Sequence, residues 1–306
     1  MEAAEGFHIE NPPSAVLKGS YQSLSNKHNV ADPTLFKSPL FTPKEFHNAS
    51  LQWFPAREIL SHKRILIPYS LICMDSTKHL PERAYFSVSS NGLAAGNTEK
   101  EAFLHALFEL NERDDLALWS SIHEVDRANR LLNQETITGV ARDILDKVNA
   151  AGVVAKIWDI STTSLKTFRC VLFDKKNYRK LGMAFGTGSH ISSDIALCRA
   201  ICEAAQDRLI LISGNRDDVL PDFYHKICES EALSAQFTHS NGTYPFQSNT
   251  IRNPTSIHDC TTWAKSILTR EKGVKQIFIV SHTRPDIGIP VVQVLIPKLE
   301  YSYRRM

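Results

Sequence analysis

The sequence predicts an α+β fold in which mixed β-sheets are packed by helices, and three observations predict it. Short β-branched and aromatic runs of strand length recur along the chain. Two long helical periods, one from about Thr98 to Trp119 and one inside 182–214, each follow a strand and a glycine-bearing loop. No stretch is low in complexity or repeated in tandem.

Each element has its own reason. "MEAAEGFHIE" (1–10) reads as a helix that starts without a cap, a leader or a preceding strand. From Asn11 to about Trp53 the text is rich in Pro, Ser, Lys and Asn, which predicts an irregular crossing segment or a set of short turns. "ILIPYSLICM" (65–74) has strand length, and "AYFSVSSNG" (84–92) predicts a strand that ends in a glycine loop. The helix that follows begins with Thr98 and Glu101 spaced as a capping box. "TITGVARDILDKVNAAG" (136–152) is a helix with a glycine stop, and "VVAKIWDI" and "TFRCVLFD" are strands. "GMAFGTGSHISSDIALCRAICEAAQDRLILISG" repeats the order of strand, glycine-rich turn and capped helix. "KQIFIVSHT" and "VVQVLIP" are strands split by "RPDIGIP".

At 306 residues and 42% hydrophobic, the chain can bury a large core, and it reads as a single domain over 1–306. Charged residues make up 22% with a formal net charge of +2, so no overall field steers nucleic acid. No run approaches the roughly 18 apolar residues of a membrane span, and the N-terminus lacks a secretion signal, so the expected location is the cytoplasm. Six cysteines, Cys73, Cys170, Cys198, Cys202, Cys228 and Cys260, contain no CxxC pair and read as reduced thiols. Cys198 and Cys202 lie one helical turn apart, but no second pair completes a metal site.

The carboxylates are the unusual feature. On the helix from Thr98, at about 100° per residue, Glu109 lies about 80° and Glu112 about 20° around from Glu101, so the three share a face with His105. Leu104, Leu107 and Leu110 lie opposite and should pack inward. By itself this could be a solvated acidic stripe. On the later helix Arg199, Glu203 and Gln206 fall within about 60° of one another, and Glu203 sits in the apolar "ALCRAICEAA", where an uncompensated carboxylate is costly. Glu2 and Glu5 lie about 60° apart on the first helix. Three helices presenting carboxylates suit Mg²⁺ and a polyphosphate, with Arg113 and Arg199 as forked donors. The loop "SSNGLAAGNT" leads into a helix N-terminus that favours anions, yet no GxxxxGK[ST] occurs, so a nucleotide would be held by another scheme.

Four ordered blocks, "SSNGLAAGNTEKEAFLHALFELNERDD", "GTGSHISSDIALCRAICEAAQDRL", "SGNRDD" and "TRPDIGIPVVQVLIPKLE", together resemble the YcaO family over nearly the whole chain. The resemblance implies an ATP-dependent enzyme that phosphorylates a backbone amide oxygen of a ribosomally made peptide, so that a nucleophile can add to the carbon. It implies a YcaO-like domain with its ATP and Mg²⁺ site between carboxylate-bearing helices. It places the metal on Glu2, Glu5, Glu101, Glu109, Glu112 and Glu203, and the nucleotide on Asn97, Arg113, Arg199 and Gln206.

The family pattern also has a serine before the Glu2 and Glu5 pair and, further upstream, a glycine-lysine-glycine stretch that contacts phosphate. Neither occurs here, so the resemblance implies a domain lacking its first strand and loop, through a late start or a natural truncation. Gly6 stands where many relatives have arginine, and Lys298 replaces the glycine of a "PGLE" block. The ending "EYSYRRM" differs from the proline-rich tail of azoline-forming members, and "MEAAEGFH" is similar to thioamide-forming members encoded beside a TfuA partner. A precursor peptide, a TfuA-like or leader-binding protein and, by resemblance alone, a homodimer are the implied partners; nucleic acid and membrane are not.

Two other readings stand beside the enzyme. A catalytically impaired relative would bind peptide or partner without turning over ATP. A plain metal-dependent hydrolase is disfavoured because His105, His190 and His282 have no partners at ligand spacing. His190 reads either as a substrate contact or as a loop histidine capping the next helix.

Overall fold

The computed structural model describes residues 2–11, 17–36, 42–75, 77–80, 85–86, 88–174, 183–214, 242–248 and 256–299, together with the backbone but not the side chain of Glu2. The C-terminal "EYSYRRM" and most of "SGNRDD" lie outside these residues, as does Cys228. Two compact units can be distinguished, Met1–Leu110 with Pro254–Glu300 and Asn111–Asn253 with Tyr301–Met306.

The first unit is built on an antiparallel sheet. Strand β2 (Leu51–Glu58) pairs with β1 (Leu17–Gly19), with β3 (Arg64–Pro68) and with β10 (Phe278–Ser281). β10 pairs with β11 (Val291–Leu295), and β11 with β4 (Leu93–Ala95). Trp53, Ile67, Ile72 and Phe278 fill the core on β2 and β3. Helix α1 (Glu2–Glu10) buries Ile9 against Leu93, Ala95 and Val291. Short helices α2 (Tyr21–Leu24) and α3 (Pro43–Asn48) occupy the segment read as irregular, and Thr42 with Glu45 forms a complete capping box on α3.

Two strand expectations are corrected. "ILIPYSLICM" is strand only over its first four residues; Tyr69–Leu71 turns as a 3-10 helix. Within "AYFSVSSNG" the described residues form no strand. Tyr85 and Phe86 instead pack their rings at a tilt against Phe46, at ring separations of 5.7 and 5.6 Å, and the strand starts after Gly92, whose φ is +77°.

Helix α4 (Glu99–Ser120) crosses from Leu110 into the second unit. There α5 (Glu124–Ala128), β5 (Leu132–Asn133) and α6 (Gly139–Ala150) precede an antiparallel sheet of β6 (Val153–Asp159), β7 (Lys166–Asp174) and β8 (Ala184–His190). Helix α7 (Ser193–Ser213) packs on one face of that sheet, and β9 (Tyr244–Pro245) pairs with β5. Helix α8 (Ile257–Arg270) returns the chain to the first unit.

The glycines of "GTGS" are not a turn, as the sequence suggested. Gly186 and Gly188 lie within β8, and a Cβ at either would sit 2.2 to 2.3 Å from backbone atoms of Ala204 or Ala196. Glycine here lets strand and helix touch backbone to backbone, with Ala196, Ala200 and Ala204 all buried on α7. No described helix is long and apolar enough to cross a membrane.

Candidate functional site

In the first unit three of the carboxylates are fastened to one short stretch of main chain, 92–97. Glu5 Oε1 accepts the Ala95 N–H at 2.7 Å, because α1 lies on β4 and burying Ile9 turns Glu5 toward the strand. Glu109 Oε2 accepts the Gly92 N–H at 3.1 Å. Glu101 accepts the Asn97 N–H at 3.1 Å and the Asn97 side-chain amide at 3.1 and 3.2 Å. Thr98 Oγ1 does accept the Glu101 N–H at 3.2 Å, as a cap should. The Glu101 carboxylate, however, reaches beyond the cap to Asn97 and does not close the box. Main-chain donors fix the rotamer of an acidic side chain while leaving lone pairs for a cation.

Beneath α1 two imidazoles are buried. His8 Nδ1 donates to Ala4 O at 2.6 Å and His282 Nε2 to Gln293 Oε1 at 3.2 Å, an assignment that follows from Gln293 Nε2 donating to Leu71 O and Ser89 O. Burial pushes the His282 pKa down to about 4, the Gln293 bond opposes the shift, and nearby His8 adds to it. His282 is therefore a neutral side chain of the core.

In the second unit β8 pairs only with β7 among the described strands. Its outward N–H groups are each taken by a carboxylate: Phe185 N by Asp207 Oδ2 at 2.9 Å, Thr187 N by Glu203 Oε2 at 3.0 Å and Ser189 N by Glu112 Oε2 at 3.1 Å. Thr187 Oγ1 donates to Glu112 Oε1 at 2.6 Å and lies 3.5 Å from Glu203 Oε2, so one threonine joins the two glutamates. Burial and then the Glu112 charge raise the Glu203 pKa above the ordinary carboxylate value; the Thr187 N–H, Arg113 and Arg199 only partly offset this. A bound cation would lower the cost of keeping both carboxylates ionised.

The acidic face of α4 is not a solvated stripe: Glu112 is buried and Glu101, His105 and Glu109 are half-buried, while Asn111, Asp114 and Asp115 are buried on the side of the helix that carries the buried Leu104, Leu107 and Leu110. Arg113 is half-buried, whereas Arg199 and Gln206 are exposed on α7. The structure thus gathers Glu112, Glu203, Arg113 and Arg199 in one unit, and ties Glu5, Glu101, Glu109 and Asn97 to the 92–97 stretch of the other. Glu2 lies in α1, its side chain outside the described residues.

Among the described residues no three of His, Cys, Asp and Glu form a ready-made metal cage. Mg²⁺ does not require one, since it keeps waters and phosphate oxygens alongside one or two carboxylates. Cys198 and Cys202 are free thiols, and burial, followed by Cys202, raises the Cys198 pKa. His190 Nδ1 accepts the Ser192 N–H at 3.0 Å, the role of a residue leading into a helix. Reading the sequence missed Thr187 and Asp207, whose roles depend on strand register, and the buried pair Asn111 and Asp115, whose four-residue spacing on α4 was visible.

Comparison with known proteins adds the family. The family model described as YcaO cyclodehydratase, ATP- and Mg²⁺-binding, matches residues 1–300. An uncharacterized protein in the tfuA 3' region of Rhizobium leguminosarum bv. trifolii is 29% identical over 310 residues, covering 98% of this chain and 73% of that one. A heterocyclase solved in complex with substrate and cofactor is similar in fold, with a TM-score of 0.74 at 20% identity; the match covers 98% of this chain but 42% of the heterocyclase. YcaO from Methanopyrus kandleri bound with AMPPCP and Mg²⁺ has a TM-score of 0.69 at 16% identity, covering 97% of this chain and 73% of that one.

Proposed function

The chain belongs to the YcaO family, its cofactors are ATP and Mg²⁺, and we propose from this premise that it activates a backbone amide of a ribosomally made peptide for thioamide formation, with azoline formation as the alternative product. ATP-dependent peptide modification is the general activity of the family. The observation that carries the assignment to this chain is that Glu5, Glu101, Glu109, Glu112 and Glu203 each accept a backbone N–H. Carboxylates held in this way are preorganised as cation ligands.

When bound, magnesium-ATP supplies an electrophilic phosphoryl group to the amide oxygen. Glu112 and Glu203, joined through Thr187, would bind Mg²⁺ in the second unit. In the first unit Glu5, Glu101 and Glu109, tied to the 92–97 stretch, would offer Mg²⁺ ligands, with Glu2 on α1. Arg113 and Arg199 bear on phosphate charge by forked donation, and Asn97 and Gln206 contact the nucleotide. The nucleophile is sulfide in the thioamide reading, delivered with the help of a partner protein. A relative named for its place beside tfuA supports that choice.

The test is calorimetric binding of ATP with and without magnesium, followed by peptide-stimulated ATP hydrolysis. Magnesium-dependent binding that Glu112→Gln weakens and Glu203→Gln abolishes is expected. A mass gain of sulfur for oxygen in the peptide supports thioamide formation, and a loss of water supports an azoline. Peptide binding with no nucleotide affinity would overturn the enzyme reading in favour of a binding protein.

A further inference from the structure

Directly beneath Glu112 lies a closed polar cluster that the proposed chemistry does not touch. Asn111, Asp115, Thr167 and Ser189 are each fully buried. Asp115 Oδ2 accepts from Thr167 Oγ1 at 2.6 Å and from Asn111 Nδ2 at 3.0 Å, and Thr162 donates to Asp115 Oδ1. Asn111 Nδ2 also reaches Ser189 Oγ at 3.0 Å and Thr167 Oγ1 at 3.1 Å, and the two hydroxyls are 3.1 Å apart.

Proton counting gives the cluster a direction. Asp115 can only accept when ionised, so the Thr167 hydrogen goes to it. The Ser189 hydroxyl then donates to Thr167 and accepts from Asn111, which leaves Glu112 served by the Ser189 N–H and the Thr187 hydroxyl alone. Asn111 Oδ1 is buried with no partner, and turning the amide over would set that oxygen against the Asp115 carboxylate. An orphan of this kind costs about 1–3 kcal/mol, so the cluster is not the arrangement that folding alone would favour.

We infer that Asn111 and Asp115 are positioning residues: through Thr167 and Ser189 they fix the β8 segment that presents Ser189 N and Thr187 to Glu112, and so set the orientation in which Glu112 meets its metal. The inference rests on the reading of Glu112 as a magnesium ligand.

The test compares wild type with the apolar double variant Asn111→Leu/Asp115→Val, and with Ser189→Ala, which keeps the backbone donor and cuts the hydroxyl link should the double variant not fold. Expected are a folded double variant that loses about 1–3 kcal/mol through the hydroxyl partners it strands, a half-saturating magnesium concentration for ATP binding raised on the order of tenfold or more, and no further rise when the same changes are made on Glu112→Gln. A magnesium requirement that stays at the wild-type value, or rises equally with and without Glu112, overturns the inference. Were wild type to show no magnesium-dependent nucleotide binding, the proposed function would fail. Amide exchange at Ser189 would still decide the positioning, with faster exchange in the variants supporting it and unchanged exchange overturning it.

Discussion

Gly186→Ala is the sharpest test of how the strand–helix contact governs the site. The new Cβ would lie 2.2 Å from Ala204 N and 2.3 Å from Ala200 O. Non-bonded atoms settle near 3.5 Å, so α7 must withdraw by about 1.3 Å. Both opposing atoms are backbone in a buried layer and neither can rotate away, so the substitution should cost about 3 kcal/mol, the upper part of the overpacking range. The same displacement pulls Glu203 Oε2 off the Thr187 N–H, now 3.0 Å away, to a separation at which no hydrogen bond survives. Peptide-stimulated ATP hydrolysis should then fall on the order of 100-fold. Urea unfolding and steady-state hydrolysis measured on the same preparation give both numbers. A variant within about 0.5 kcal/mol of wild type and fully active would refute the reasoning, because the helix would then have had room that the structure denies it.

Gly6→Ala should act in the opposite direction: no atom lies within 4 Å of its Cβ position on α1, so the chain should gain up to about 1 kcal/mol from helix propensity, read in the same unfolding experiment. Glu58 is held by the N–H groups of Leu60, Ser61 and Ile277; burial raises its pKa, but these bonds outweigh it and the net shift is below the usual 4.5. That stability is present above 4.5 and lost as pH falls through the folded-state value, so Glu58→Gln should cost about 2 kcal/mol at neutral pH and flatten the acid limb of the stability profile. Glu203 is shifted the other way, first by burial and then by Glu112, so ionising it costs the folded chain stability as pH rises from 4.5 through the raised value. Glu203→Gln should accordingly leave thermal stability without ligand undiminished while removing the stabilisation by magnesium and ATP; a lower melting temperature with that stabilisation intact would contradict it.

Much of this could be read directly from the chain. The two long helices announced themselves by period, and the acidic faces of α4 and α7 pointed to Glu101, Glu109, Glu112 and Glu203 before any coordinates. What stayed hidden was tertiary. Pro55 masks β2, yet it sits opposite Leu66 in the ladder with β3. Tyr85 and Phe86 have strand-forming side chains but are recruited by Phe46. "GTGS" has turn composition, and only the neighbouring alanines of α7 reveal its glycines as contact points. The donors that orient the carboxylates are backbone amides, which every residue possesses, so no side-chain pattern could identify Gly92, Ala95, Thr187 or Ser189 as their partners.

The row of carboxylates along β8 has a consequence for how the protein could lose its activity. An open strand edge is a template for pairing with another chain, and acidic side chains are one way of closing it. Here two of the three groups that close it, Glu112 and Glu203, are also candidate metal ligands. Stripping Glu112, Glu203 and Asp207 together would bare the N–H groups of Phe185, Thr187 and Ser189 and make the protein sticky as well as inert, whereas glutamine at the same positions would preserve a covering side chain. Loss of catalysis by truncation of these residues is therefore tied to a risk of self-association, and an inactive descendant of this chain that stayed monodisperse would have had to find another cover for that edge.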